Sequence, residues 1–188
     1  MKVESYMRVI SGSARGRKLK EPGGSNIRPT SAKVKEAIFN IVQFDVEGRR
    51  ALDLFAGCGQ LGIEALSRGA AHVVFIDSST DAVKLIRENL KTCGFSDKSA
   101  VYARDAIRSL ESDDKFDLIF IDPPYESQLL DEALKKIVAF DKLNINGIII
   151  CESKIDSALS EMTLPYAVKK EYKYGNKKIT KITKEENN

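Results

Sequence analysis

In this chain of 188 residues, an acidic residue, a glycine run and a second acidic residue recur at a spacing that can bind an adenosine cofactor. Asp53-Leu54-Phe55-Ala56-Gly57-Cys58-Gly59-Gln60-Leu61-Gly62 contains a literal G-x-G-x-x-G, and Asp77 follows Gly57 by 20 residues. Glycines in such a loop let the backbone approach a ligand, and an acid closing the next strand can accept hydrogen bonds from ribose hydroxyls. The spacing alone fits a nicotinamide dinucleotide. Asp53 argues otherwise. It stands just ahead of the loop, where its carboxylate would repel a pyrophosphate and attract a cation such as the amino group of S-adenosylmethionine. That donor carries a sulfonium and no phosphate, so S-adenosylmethionine is the favoured ligand and a dinucleotide the alternative. A tight turn with an internally satisfied Asp53 is the third reading.

The second constellation is Asp122-Pro123-Pro124-Tyr125. Two prolines stiffen a loop and remove two N–H donors, leaving carbonyls to face outward. Such a loop suits methyl transfer to the exocyclic amine of a base, a weak nucleophile because its lone pair is delocalised. Asp122 and the Pro123 carbonyl could each accept one N–H, aim the nitrogen and favour the charge that develops on it. Tyr125 could stack on the base, a contact worth about 1–3 kcal/mol in single-stranded nucleic-acid binders. The competing reading is a proline turn with Asp122 capping the next helix. Cys58 is tempting as a nucleophile but sits inside the cofactor loop, and His72 reads as structural. Glu64 reads either as an orienter of the loop or as a surface carboxylate.

Both constellations need strand ends to position them. Strands are expected at Ala51 to Phe55, Ala71 to Ile76, Ala100 to Ala103, Phe116 to Ile121 and Ile145 to Cys151. They alternate with helices at Gly59 to Arg68, Thr80 to Cys93 (closed by Gly94), Ala106 to Leu110 and Leu129 to Phe140. That alternation predicts an α/β fold with a doubly wound parallel sheet. A terminal antiparallel hairpin is expected from Ala167 to Lys173 and Lys178 to Thr183. Ahead of this body, Arg8 to Ser11 and Arg17 to Lys20 read as two short strands, and Thr30 or Ser31 can cap a helix with apolar Val34, Ala37, Ile38, Ile41 and Val42. The expected organisation is a basic extension over residues 1–43, packed on a catalytic domain over 44–188.

Composition narrows the partners. The chain is 43% apolar and 30% charged, with no window approaching a membrane span, and its N-terminus lacks the apolar core of a signal peptide. A cytoplasmic protein is expected. Three cysteines without metal-ligand spacing read as reduced thiols, and no metal is expected. The net charge of +3 conceals basic ends around an acidic middle: +6 over residues 1–40, −7 over 41–168 and +4 over 169–188. Basic ends suit a polyanion. Arg15, Arg17, Lys18, Lys20 and Arg28 are the candidate RNA contacts, with Lys173, Tyr174, Lys177 and Lys178 as a possible extension of that surface. Two solvated ends are the plain alternative.

The motifs in this order resemble the class I methyltransferases that modify exocyclic amines. Arg8-Val9-Ile10-Ser11-Gly12, Arg15-Gly16-Arg17, Arg28-Pro29-Thr30 and Glu36-Ala37-Ile38-Phe39-Asn40 narrow the resemblance to the RsmD family, bacterial 16S rRNA guanine-N2 methyltransferases. The resemblance implies a Rossmann-like, seven-stranded, mostly parallel sheet. S-adenosylmethionine is then the donor and a guanine of 16S rRNA the acceptor; a monomer acting on rRNA within a small-subunit particle is expected, with naked rRNA left open. It implies that Gly57 and Gly59, with Asp53 and Phe55 of the same motif, line the donor. Asp77 holds its ribose, and Asp105 with Ala106 lies near its adenine. Asp122, Pro123, Pro124 and Tyr125 receive the base. Cys58 and Gln60 depart from the commoner pattern at the loop, and Met7 is an alternative start. Methylation of adenine or cytosine amines in DNA, and a non-catalytic RNA-binding assembly factor, are the alternatives.

Overall fold

The computed structural model describes residues 7–21, 31–124, 128–160 and 162–186. The described elements run α1 (Ala32–Ile41), β1 (Arg50–Leu54), α2 (Gln60–Ser67), β2 (His72–Asp77), α3 (Thr80–Cys93) and β3 (Ser99–Ala103), then α4 (Ala106–Ser109), β4 (Phe116–Ile121) and α5 (Leu129–Ala139). The chain continues through β5 (Leu143–Lys154), β6 (Tyr166–Tyr174) and β7 (Lys177–Lys184). The seven strands form one sheet in the order β3-β2-β1-β4-β5-β7-β6. β1 to β5 are parallel, and β7 and β6 close the far edge antiparallel.

The sequence builds this sheet because its strands are apolar on both faces. Ala51, Val73, Phe75, Leu118 and Phe120 join the core beneath α1, α2 and α3. Their strand neighbours Leu52, Leu54, Val74, Ile119 and Ile121 join a second core beneath α4 and α5. A strand buried on both faces reads as a continuous apolar run, as parallel strands do. The chain steps from β1 outward to β2 and β3, then crosses back from β3 to β4 on the other side of β1. The carboxyl ends of β1 and β4 therefore border a crevice, where open α/β sheets bind ligands.

The seven-stranded, mostly parallel sheet and its terminal antiparallel strands match expectation. Ser31 caps α1, accepting from Val34 N at 3.4 Å, and Gly94 ends α3 at φ 76. Two local readings need correction. The N-terminal stretch makes only a single bridge, Arg8 to Lys18, rather than two strands. Its backbone turns at Gly12–Gly16 and spends its remaining hydrogen bonds on the main body, as described below. β5 begins at Leu143 rather than Ile145 and extends to Lys154. A register shift opposite Phe116/Leu118 and Asn146 at φ 59 mark an irregularity that a polar Asn-Ile-Asn-Gly stretch disguises as a turn.

Candidate active site

Asp53 lies in the middle of β1 beside Phe75 and Phe120, and is 2% exposed. Its Oδ2 accepts from Gly62 N at 2.8 Å, which pins the first turn of α2 to the strand. Burial pushes its carboxyl up to about 8; the Gly62 N–H opposes this, and the Asp122 and Asp77 carboxylates add to it. Asp53 thus senses the carboxylates that close β2 and follow β4. Asp77 closes β2, accepting from Gly57 N at 2.8 Å on one oxygen and from Ser79 N at 2.9 Å on the other. A carboxylate has about four lone-pair sites, so Asp77 retains acceptor capacity for a diol.

The glycine loop answers the question the motif left open. In a pyrophosphate-binding loop the backbone amides face the phosphates. Here the amide of Gly57 donates to Asp77, that of Gly59 to Ala56 O at 2.7 Å, and that of Gly62 to Asp53. With those donors taken, and with Asp77 and Asp122 at the strand ends near buried Asp53, the site fits a cationic ligand better than a dinucleotide. The residues present therefore suit S-adenosylmethionine. Gly59, at φ 78, starts α2 in the left-handed region. A Cβ on Gly62 would lie 2.2 Å from the Phe75 ring, so this third glycine lets helix and sheet touch. Phe55 sits at φ 65, a conformation that costs a bulky residue roughly 1–3 kcal/mol and that clusters at ligand sites.

Asp105 caps α4, its Oδ1 accepting from Arg108 N at 2.8 Å, and Ala106 is buried behind it. Arg104 N donates to Asp77 O at 3.0 Å, which sets the end of β3 beside the end of β2. Asp122 is half-buried, Pro123 buried and Pro124 exposed. The register of Ile121 with Cys151 sets Asp122, just past the end of β4, abreast of Glu152 within β5. A cavity of about 520 Å³ opens there, lined by Pro123, Pro124, Gln128, Glu152, Lys154 and Ser157 among others. Tyr125 and Arg28 lie outside the described residues. Burial pushes the Cys58 thiol up to about 11, which suits packing rather than nucleophilic attack. His72, half-buried at the opposite end of β2, has its pKa lowered by burial and by Arg50.

Arg15, Arg17, Lys18 and Lys20 are all exposed on the N-terminal turn. Lys20 Nζ reaches Glu88 at 2.7 Å. What fastens this turn to the body was not legible in the sequence. All eight residues of α2 are buried, because the turn covers its outer face. Glu64 is fully buried and accepts from Ile10 N at 2.7 Å, Ser11 N at 2.9 Å and Arg68 Nε at 2.9 Å. Buried Lys35 lies 3.6 Å from Glu64 and donates to Arg8 O at 2.6 Å. Ser67 Oγ donates to Ser11 O at 2.5 Å and accepts from Ala14 N at 3.0 Å. A Cβ on Gly12 would fall 1.7 Å from Ser67 O, which explains that glycine. The available signal was Gln60, Glu64 and Ser67 within one short helix whose apolar residues leave it no solvent face.

A family model described as Conserved hypothetical protein 95 matches residues 7–183. The Bacillus subtilis protein YlbH is 43% identical over 173 residues, covering 90% of this chain and 94% of YlbH. Ribosomal RNA small subunit methyltransferase D of Haemophilus influenzae is 33% identical over 157 residues, covering 81% of each chain. Among solved structures, the Escherichia coli protein yhhF superposes with a TM-score of 0.87 at 28% identity, covering 96% of this chain and 98% of that one. The chain belongs to the Conserved hypothetical protein 95 family, the RsmD family of methyltransferases.

Proposed function

We propose that the chain transfers a methyl group from S-adenosylmethionine to the exocyclic N2 amine of a guanine in 16S rRNA, acting as a monomer on a small-subunit particle. The observation that carries this reading is that Asp77 and Asp122 lie near buried Asp53 beside a loop whose three glycine amides, of Gly57, Gly59 and Gly62, donate within the protein. The relatives' names support rRNA as the substrate. When bound, S-adenosylmethionine supplies an electrophilic methyl group on a sulfonium. Asp77 accepts from its ribose, the glycine loop lies against its amino-acid portion, and Asp105 with Ala106 borders its adenine. Asp122 and the Pro123 carbonyl accept the two N–H bonds of the guanine amine. They direct its lone pair along the line of transfer and stabilise the positive charge that grows on nitrogen. The cavity beside Pro123 and Pro124 receives the base. The proton leaves after transfer. The exposed Arg15, Arg17, Lys18 and Lys20 hold the RNA backbone, with Arg28 and the exposed Lys173 and Tyr174 of the β6–β7 hairpin as further contacts. Lys178, by contrast, is buried against Glu171, and Lys177 pairs with Glu152.

The decisive experiment supplies tritiated S-adenosylmethionine with 16S rRNA, small-subunit particles or duplex DNA, then identifies the labelled nucleoside by mass spectrometry. N2-methylguanosine from rRNA or the particle is the expected product. Label in N6-methyladenine of duplex DNA, and none in RNA, would overturn the reading.

The raised Asp53 carboxyl gives a pH signature. Near pH 7 the group is mostly protonated, and a nearby cation favours its ionised form. Binding the donor should therefore release protons at pH 7, and affinity should rise as the pH climbs from 6 toward 8. The donor's own α-amino group titrates at about 8, so Asp53→Asn is the reference that isolates the protein's share. Calorimetry in buffers of different ionisation enthalpy measures the release. Equal proton counts for the wild type and Asp53→Asn would exclude Asp53 from this role.

A further inference from the structure

We propose that Asn89 is a positioning residue for the glycine loop. Through it, the N-terminal hairpin of residues 7–20 holds that loop in its donor-binding shape, and RNA on the hairpin and S-adenosylmethionine each tighten the other's binding. The proposal takes its two ligands from the functional reading above and adds a coupling between them.

Asn89 is fully buried on α3, on the same stripe as Val83, Ile86 and Leu90. Its side-chain amide is shared between two parts of the chain far apart in sequence. Nδ2 donates to Cys58 O at 3.2 Å and to Lys20 O at 3.1 Å, while Oδ1 accepts from Lys20 N at 2.7 Å. Cys58 stands between Gly57 and Gly59 in the middle of the loop. A second contact reaches the same residue from the other end of the hairpin, where Cys58 Sγ meets Met7 Sδ at 3.6 Å. Leu19 N donates to Met7 O at 2.8 Å, so the two ends of the hairpin lie side by side. The hairpin thus holds Cys58 by its carbonyl, through Asn89, and by its sulfur, directly.

The body of the fold holds the loop by its amides, Gly57 N on Asp77 and Gly59 N on Ala56 O, so the Cys58 carbonyl between them is where the hairpin bears on it. Gly57 and Gly59 both adopt positive φ, at 55° and 78°, and bring no side chain that could maintain the conformation. The Met7 and Lys20 end of the hairpin exchanges, in this proposal, between a form docked on Asn89 and an undocked one, while Ile10 to Ala14 stay fastened to Glu64 and Ser67. Undocking removes two of the three Asn89 hydrogen bonds and frees the amide to rotate away from Cys58 O. The exposed cations Arg15, Arg17 and Lys18 are carried on the same hairpin. RNA that grips the docked form raises its population and with it the formed loop, and linkage makes the effect reciprocal. A purely structural Asn89 would stabilise the fold without creating any coupling.

The test is equilibrium dialysis of tritiated S-adenosylhomocysteine against the full chain, with and without a 16S rRNA transcript. In the wild type, RNA is expected to tighten S-adenosylhomocysteine by about 5-fold or more. Asn89→Leu, similar in size and unable to make the three hydrogen bonds, should bring that ratio to about one while RNA affinity in the absence of the cofactor analogue persists. In turnover it should raise the KM for the donor with little change in kcat. Met7→Ala, which removes the sulfur contact and some packing but leaves Asn89 in place, should lower the ratio partway and covers the case in which Asn89→Leu does not fold. In the wild type without any cofactor, RNA should slow hydrogen exchange at the amides of Cys58 to Gln60.

A wild type that binds both ligands with no mutual effect, or a loop whose exchange ignores RNA, overturns the coupling and leaves the functional reading standing. An Asn89→Leu chain of lower stability that keeps the full ratio assigns Asn89 a structural role and also overturns it. A wild type that binds neither ligand overturns both readings.

Discussion

Replacing Asp122 with alanine is expected to lower kcat by about 10²–10³ while leaving the affinity for S-adenosylhomocysteine within a few-fold of the wild type. The residue follows the last position of β4, beside the cavity bordered by Pro123 and Pro124, and its carboxylate contributes to the field at Asp53. Alanine removes both an N–H acceptor and the negative charge that opposes the charge developing on the amine. Asp122→Asn separates the two, since the amide oxygen still accepts one N–H but offers no net charge. Its expected loss is smaller than that of alanine. Single-turnover methylation of rRNA at saturating donor measures both. An Asp122→Ala chain with wild-type turnover would remove Asp122 from the chemistry.

Glu64→Ala is expected to destabilise the chain by about 3–5 kcal/mol, as breaking a buried ion pair does when one charge is left behind. Lys35 is 2% exposed, and burial already lowers its pKa, so losing Glu64 leaves a buried ammonium with one remaining described acceptor, Arg8 O. The amides of Ile10 and Ser11 lose their acceptor at the same time. At roughly 2–4 °C per kcal/mol for a domain of this size, Tm should fall by roughly 6–20 °C. Cleavage by trypsin at Arg15 and Arg17 should accelerate as the hairpin undocks. Adding Lys35→Met should restore part of the loss, because the unpaired charge is then gone while the two backbone amides still lack an acceptor. A Tm within 2 °C of the wild type in Glu64→Ala, on the same scale, would mean the hairpin is held by something else.

These two residues differ in how readable they were. Asp122 announces itself because a strand, two prolines and an aromatic residue follow a fixed local order. α3 was legible to the residue, Thr80–Cys93, because Ser79, the apolar spacing and Gly94 are all local signals. The parallel body of the sheet was legible for the same reason: each strand is a short apolar run bounded by turn residues. β5 was misjudged at its start, where Leu143 pairs with Phe116 but Asn146 leaves the regular strand conformation.

Glu64 and Asn89 carry no such local mark. Glu64 sits in a helix of eight residues, where its polarity predicts a solvent face. The apolar residues around it leave no such face, and the hairpin from residues 7–20 covers Glu64 in the molecule. Asn89 lies at the phase of the apolar stripe of α3, and its polarity makes sense only once Lys20 and Cys58 are brought to it from 69 and 31 residues away. The residue types and spacings near each strand end were enough to indicate the fold and the methyltransferase family, since those depend on backbone conformation and short-range order, and the amine-accepting role proposed for the Asp122 loop rests on the same local order. The placement of the basic hairpin against the cofactor loop was decided only by tertiary contact. Hydrogen bonds between segments so far apart leave no periodicity, and a buried carboxylate looks like an exposed one until its partners are in place.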